Sequence, residues 1–373
     1  MKKLFADVLA FCTLVISMGS CHAQPAYSPE DIRLREEIAQ MLLVGFRGTE
    51  VSEDSHIYRD IVDYKIGGVI LFEYDAPSGR RPRNITSRTQ LKKLTSDLQK
   101  LSSETLFISI DQEGGMVSRL RPKYGFPRFA SAKEMARTDS TSYWGKLTAR
   151  TLSSVGINLN FAPCVDVDVN PECPVIGKLK RSFSDNPDSV AIHAEAWIRS
   201  HRNMKILTSL KHFPGHGSSQ DDTHLGIADV TETWTDKELI PYRKLIRDGN
   251  VDMIMTSHVF NAKLDSLYPA SLSQIITTGM LRKGLNYDGV IVTDDLVMGA
   301  IANEYELDEV LELAILAGAD ILCLSNNGHD YDPDVVPTAV DIIYDKVKTG
   351  VIPRERIHES YERIVKLKRF ISR

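Results

Sequence analysis

Four stretches of the sequence place ionisable residues directly after a short apolar run. Leu106–Ile110 leads into Asp111-Gln112-Glu113-Gly114-Gly115, and Ile206–Leu210 leads into Lys211-His212-Phe213-Pro214-Gly215-His216-Gly217. Met253–Ser257 is followed by His258, and Val290–Thr293 by Asp294-Asp295. Asp294 or Asp295, held at a strand end, could attack an anomeric carbon as a nucleophile. Either could equally cap a following helix. Neighbouring residues at a strand end point to opposite sides, so only one of the two can face a pocket axis.

The stretch from Lys211 to Leu225 turns at Pro214-Gly215 and carries Asp221, Asp222 and His224. An aspartate two residues before a histidine can accept a hydrogen bond from one imidazole nitrogen. That fixes the tautomer and leaves the other nitrogen to exchange a proton with substrate near neutral pH. Two other readings stay open for this stretch: a metal site built from His212, His216 and His224, or a polar surface loop. Lys211, His212 and Asp111 lie where a strand holds side chains rigidly, so they suit directional contacts to hydroxyl groups. Arg119 and Arg181 are further donors in loops, although nothing in their local sequence sets them apart from solvated arginines.

These groups meet only if the apolar runs are neighbouring parallel strands. Eight such runs are present: Met41–Phe46, Gly67–Phe72, Leu106–Ile110, Ile157–Ala162, Ile206–Leu210, Met253–Ser257, Val290–Thr293 and Ile321–Leu324. Each is almost continuously apolar, as strands covered on both faces are. Helical spacing appears between them, as in Thr89–Leu101 and Glu306–Ala317, and Arg354–Arg373 reads as a closing amphipathic helix. This alternation predicts an α/β fold, a (β/α)8 TIM-type barrel formed by one domain over 31–373. An open doubly wound sheet is the alternative, but neither a GxGxxG nor a Walker pattern accompanies it. In a parallel barrel the C-terminal strand ends share one face, so the four ionisable stretches would converge there.

The chain has 373 residues, 45 Lys and Arg against 50 Asp and Glu, and a net charge of −5. No basic footprint for nucleic acid is present. Lys2 and Lys3 precede an apolar run from Val8 to Met18, followed by Gly19-Ser20-Cys21. The run is too short to span a bilayer as a helix and reads as a secretion signal over 1–21. Cys21 would carry a lipid, giving a periplasmic or outer-membrane lipoprotein tethered through 22–30. Plain cleavage after Ala23 is the other reading. Cys164 and Cys173 could pair in an oxidising compartment or stay free thiols. The cysteine spacing does not match a zinc site, and no metal or cofactor is expected. A monomer is expected.

Taken together, Asp111-Gln112-Glu113-Gly114-Gly115 with Arg119, the Lys211–Gly217 run followed by Asp222-Thr223-His224, and Val292-Thr293-Asp294-Asp295-Leu296-Val297-Met298 resemble family 3 glycoside hydrolases. The likeness is to single-barrel β-N-acetylglucosaminidases of the NagZ type and covers nearly all of 31–373. The resemblance implies Asp294 as nucleophile, His224 as general acid/base and Asp222 as its partner. It implies Asp111, Arg119, Arg181, Lys211 and His212 as the N-acetylglucosamine subsite, with Met298 beside the nucleophile. The reaction it implies is a retaining double displacement in which histidine replaces the usual carboxylic acid. The implied substrate is N-acetylglucosamine joined to muramic acid, as in a muropeptide, or another β-linked glycan. Many Gram-negative relatives of this type are cytoplasmic, so the export signal departs from the pattern and leaves the physiological glycan open. A phosphorylase on the same scaffold, a lipid-anchored glycan-binding protein without catalysis, and a metal-dependent hydrolase are the competing functions.

Overall fold

Burial on both faces selects β-branched and aliphatic runs as strands, and all eight expected runs form them. They are β1 Leu42–Gly45, β2 Gly68–Leu71, β3 Phe107–Ile110, β4 Leu159–Asn160, β5 Leu207–Phe213, β6 Met253–Thr256, β7 Val290–Thr293 and β8 Leu322–Leu324. The computed structural model describes residues 27–328 and 330–372. The expected signal, Cys21 and most of the tether lie outside the described residues. The first helix, Pro29–Gln40, begins inside the stretch expected as a tether, capped by the Ser28 hydroxyl, which accepts from Asp31 N–H at 3.1 Å.

The strands pair in parallel in the order β7-β6-β5-β4-β3-β2-β1-β8. A parallel bridge between Val292 and Ile321 joins β7 to β8 and closes the ring. Helices lie between consecutive strands, among them Arg88–Leu101, Pro187–Arg202, Ile240–Arg247 and Leu307–Ala317. The chain is therefore a (β/α)8 barrel of the TIM type. Gly68 shows how tightly the ring is drawn: a Cβ there would stand 2.7 Å from the Phe107 Cβ on β3.

Side-chain alternation divides the core. Met253 and Met255 of β6, with Val290 and Val292 of β7, belong to one buried cluster, while Ile254 and Ile291 between them belong to another. Period-two geometry sends one set to the barrel interior and the other to the helical layer. Most strands are a residue or two shorter than the runs, and two differ more. β4 is regular only over Leu159–Asn160; Pro163, with no N–H, interrupts the ladder, which resumes where Cys164 bridges Lys211. β5 continues past Leu210 to Phe213, with an irregular register against β6, and stops at Pro214. The extension makes Lys211 and His212 part of the sheet rather than of the loop after it. Cys164 and Cys173 are both buried free thiols, and the disulfide left open by the sequence is absent.

Candidate active site

The C-terminal strand ends surround a cavity of about 370 Å³. Its wall carries Asp111 from the end of β3, Met255 from β6, Asp294 and Met298 from β7 and the segment after it, and Ser325 after β8. Arg119 and His224 reach the same cavity from loops. Five of the sequence-derived site residues thus share one wall: Asp111, Arg119, His224, Asp294 and Met298.

The two adjacent aspartates have separate surroundings. Asp295 accepts from Ser325 N–H at 2.9 Å, from Val297 N–H at 3.3 Å, and from the Ser325 hydroxyl. Burial pushes its carboxyl up to about 6 despite those bonds, and the neighbouring Asp294 charge adds to the rise. Asp294 is anchored through its backbone, which donates to Thr256 O on β6 at 2.9 Å. Among the described residues its side chain accepts only from Asp295 N–H, at 2.9 Å. Burial raises the Asp294 carboxyl, but His258, His212, the Asp295 N–H and Lys211 outweigh it and hold the group below its usual value. Both aspartates line the cavity, but Asp294 is the ionised carboxylate left free to react, and Asp295 is tied down by Ser325.

Behind the wall lies a dry charge network. Lys211 Nζ donates to Asp111 Oδ1 at 2.7 Å and contacts Glu113 Oε1 at 2.8 Å. The Arg181 guanidinium forks onto Glu113 at 2.9 and 2.7 Å and also donates to Val175 O. Arg181 Nη2 stands 3.1 Å from His212 Nε2, and His212 Nδ1 meets Asp166 Oδ2 at 2.6 Å. Arg119 reaches Asp111 at 3.5 Å. Burial disfavours each carboxylate, yet the cations around Asp111 and Glu113 hold both below their usual values. Lys211, His212 and Arg181 are buried beneath Asp111 rather than lining the cavity.

His224 stands on the loop after β5. Asp222 Oδ1 accepts from His224 Nδ1 at 2.7 Å and from its backbone N–H at 2.9 Å. The bond fixes Nδ1–H and leaves Nε2 for exchange. The loop is docked on β7's exit, where Ala300 N–H donates to Thr223 O at 3.1 Å. His212, His216 and His224 do not gather as metal ligands. His216 Nε2 faces Thr223 Oγ1 at 3.3 Å and His224 faces Asp222. Among the described residues the one group close enough for a metal is Cys164, Asp166 and His212, within 4.8 Å and fully buried.

An open anionic carboxylate and an aspartate-held histidine on one cavity wall suit cleavage of a glycosidic bond. Comparison with known families decides the kinship: the Glycosyl hydrolase family 3 N terminal domain matches residues 33–367. The chain belongs to glycosyl hydrolase family 3. "Beta-hexosaminidase A" of Pseudoalteromonas piscicida is 33% identical over 340 residues, covering 82% of this chain and 53% of that relative. "Beta-hexosaminidase" of Actinobacillus pleuropneumoniae (strain L20) is 33% identical over 328 residues, covering 83% of this chain and 90% of the relative. A solved family 3 β-N-acetylglucosaminidase from Paenibacillus superposes with a TM-score of 0.82 at 33% identity, covering 91% of this chain and 62% of the other. The chain thus spans little more than half of the Pseudoalteromonas relative and most of the Actinobacillus one.

In this family 3 site, two carboxylates carry weight that the sequence did not assign them. Glu113 is the shared anion of Lys211 and Arg181, and it was visible in the Asp111–Gly115 motif. Asp166 holds His212 Nδ1 and accepts from His216 N–H at 2.8 Å. Its signal was the alternation Val165-Asp166-Val167-Asp168 beyond the fourth apolar run, where buried valines bracket a charge. His258 was noted but given no role. It bridges the Ser271 hydroxyl at 2.7 Å and Asp295 O at 2.9 Å, next to Asp294.

Proposed function

We propose that the chain is a retaining exo-β-N-acetylhexosaminidase that releases terminal β-linked N-acetylglucosamine. One observation carries the reading: ionised Asp294 and the Asp222-held imidazole of His224 face a single cavity. The Asp294 carboxylate attacks the anomeric carbon while His224 Nε2–H protonates the departing oxygen, giving a covalent glycosyl-enzyme. Loss of that proton leaves His224 neutral. It then takes a proton from water as the water attacks the same carbon and releases Asp294. Giving up the proton leaves His224 uncharged, where a carboxylic acid would become a second anion in the site. Asp222 fixes the orientation of the ring and the position of its Nδ1–H.

Asp111 and Arg119 contact sugar hydroxyls directly in this reading. Lys211, Arg181 and His212 hold Asp111 and the subsite floor, and Met298 packs beside Asp294. The aglycone is a peptidoglycan-derived or other β-linked glycan, met after export to the periplasm or outer membrane. The test is to incubate the Asp294→Ala variant with a nitrophenyl β-N-acetylglucosaminide. Activity should disappear, and His224→Ala given a dinitrophenyl glycoside should accumulate a hexosamine adduct on Asp294. Undiminished turnover by Asp294→Ala would refute the assignment.

A further inference from the structure

The loop bearing His224 leaves β5 through Pro214-Gly215-His216-Gly217, and two buried carboxyl groups hold that root. Asp166 Oδ1 accepts from His216 N–H at 2.8 Å, and Glu238 Oε2 accepts from Gly217 N–H, also at 2.8 Å. Glu238 lies just before helix Ile240–Arg247 and is 0% exposed. The root is pressed from both directions. A Cβ on Gly215 would stand 2.6 Å from Glu238 Oε2, and one on Gly217 would stand 1.8 Å from Val167 O. From this root the chain runs to Thr223, which His216 Nε2 meets at 3.3 Å, and then to His224.

We propose that Glu238 is a positioning residue for the acid/base loop: its buried carboxyl, opposite Asp166, clamps the Gly215–Gly217 root and so sets where His224 stands. The proposal rests on the reading of His224 as the acid/base. Glu238 acts as a neutral acid. Its Oε1 has no hydrogen-bond partner among the described residues, a state costly for a buried anion and tolerable for an uncharged group. Burial pushes the Glu238 carboxyl up to about 8 against the lowering pull of the Ser218 hydroxyl and the Gly217 and Ser218 amides, and the Asp166 charge adds to the rise. Asp166, Cys164 and Tyr242 are the ionisable groups sharing this interior, and His216 is held neutral by burial and by His212. Two anions gripping adjacent amides in a dry interior would repel, so the clamp needs one of them protonated. Above about pH 8 Glu238 ionises and the clamp loosens.

Glu238→Gln keeps the acceptor and cannot ionise, while Glu238→Ala removes the acceptor. With chitobiose as substrate, Glu238→Ala should lower kcat about tenfold or more with KM nearly unchanged. Glu238→Gln should keep near wild-type kcat at pH 7 and lose less of it than wild type between pH 8 and 9.5. Deuterium uptake by the 214–224 segment should rise in the alanine variant and not in the glutamine one. An alanine variant with wild-type kcat and uptake, or a glutamine variant whose alkaline limb superposes on that of wild type, would overturn the proposal. Should the alanine variant fail to fold, the glutamine pH profile decides alone. A wild-type protein inert toward every β-N-acetylglucosaminide would refute the proposed function instead, and the exchange measurement would still test the clamp.

Discussion

The carbonyl oxygen of His224 lies 2.6 Å from the point that a Cβ on Gly299 would occupy. The carbonyl carbons of His224 and Leu225 are 3.3 Å from the same point, so a methyl group there meets backbone rather than a yielding side chain. Gly299 opens the short helix after Asp294, and the acid/base loop rests on it through the Ala300-to-Thr223 hydrogen bond. Gly299→Ala should therefore push the loop away from the nucleophile. Displacement of a catalytic group by about 1 Å costs on the order of 10²-fold, and a loss of kcat between that and tenfold is expected. Stability should also fall, by about 1–3 kcal/mol, because the added methyl overpacks against loop backbone. Thermal melting beside kcat separates displacement from unfolding.

His224 is exposed at the loop tip, so its removal leaves little strain behind. His224→Ala should lose about 10²- to 10⁴-fold on an unactivated disaccharide, the range for a missing general acid. The first step with a dinitrophenyl glycoside needs little protonation and should fall far less. Burst kinetics on the activated substrate report that step directly. Equal losses on both substrates would make His224 a structural residue.

The barrel was legible because its signal is local: eight apolar runs, each as long as a strand, with helical spacing between them. The partners inside the site were less legible, because burial is a property of the fold. Asp294 and Asp295 are equivalent in sequence, and only the Ser325 contacts from the next strand separate an open carboxylate from a tied one. Lys211 and His212 read as a rigid strand end, but a charged pair ordinarily closes an apolar run, so their burial inside the ladder was not visible locally. The ladder continues because Asp111, Glu113 and Asp166 arrive from other strand ends to compensate them. Arg181 looked like any loop arginine until its fork onto Glu113 was in place.

That fork supplies a prediction on stability. Glu113→Gln leaves Arg181 and Lys211 without their shared anion in a buried setting, which should cost about 3–5 kcal/mol. Burial raises the Glu113 carboxyl, but Arg181 and Lys211 hold it well below its usual value. Its contribution is therefore present above the unfolded value near 4.5 and is lost as pH falls through the native one. Urea unfolding at pH 7 and pH 4 should show the wild type weakening on acidification and the glutamine variant weakening less. Parallel decline in both proteins would mean that Glu113 is not ionised in the fold.

Asp320 is the contrasting case, a buried anion on the far side of the barrel. It precedes β8, at the N-terminal end of the strands, where side chains serve stability rather than catalysis. Its carboxylate is 0% exposed and accepts from Arg356 at 2.9 Å, Arg363 at 3.3 Å, the Ser360 hydroxyl at 3.0 Å and Ile291 N–H at 2.9 Å, and it also pairs with Arg282. These bonds tie β7 and the last helix, Arg354–Ile371, to one point. Asp320→Asn preserves size but removes the anion that three guanidinium groups share, leaving Arg356 and Arg363 only the exposed Glu359 and Asp288. Breaking such a buried cluster costs about 3–5 kcal/mol, and at about 1.4 °C per kcal/mol for a domain this size a fall in Tm on the order of 4–7 °C follows. High salt should not restore it, because screening reaches buried pairs poorly. Below the lowered Tm, kcat/KM should match that of wild type, because the site lies at the opposite strand ends. A variant that keeps its Tm, or that loses activity while folded, would mean that Asp320 does not hold the barrel floor as its contacts imply.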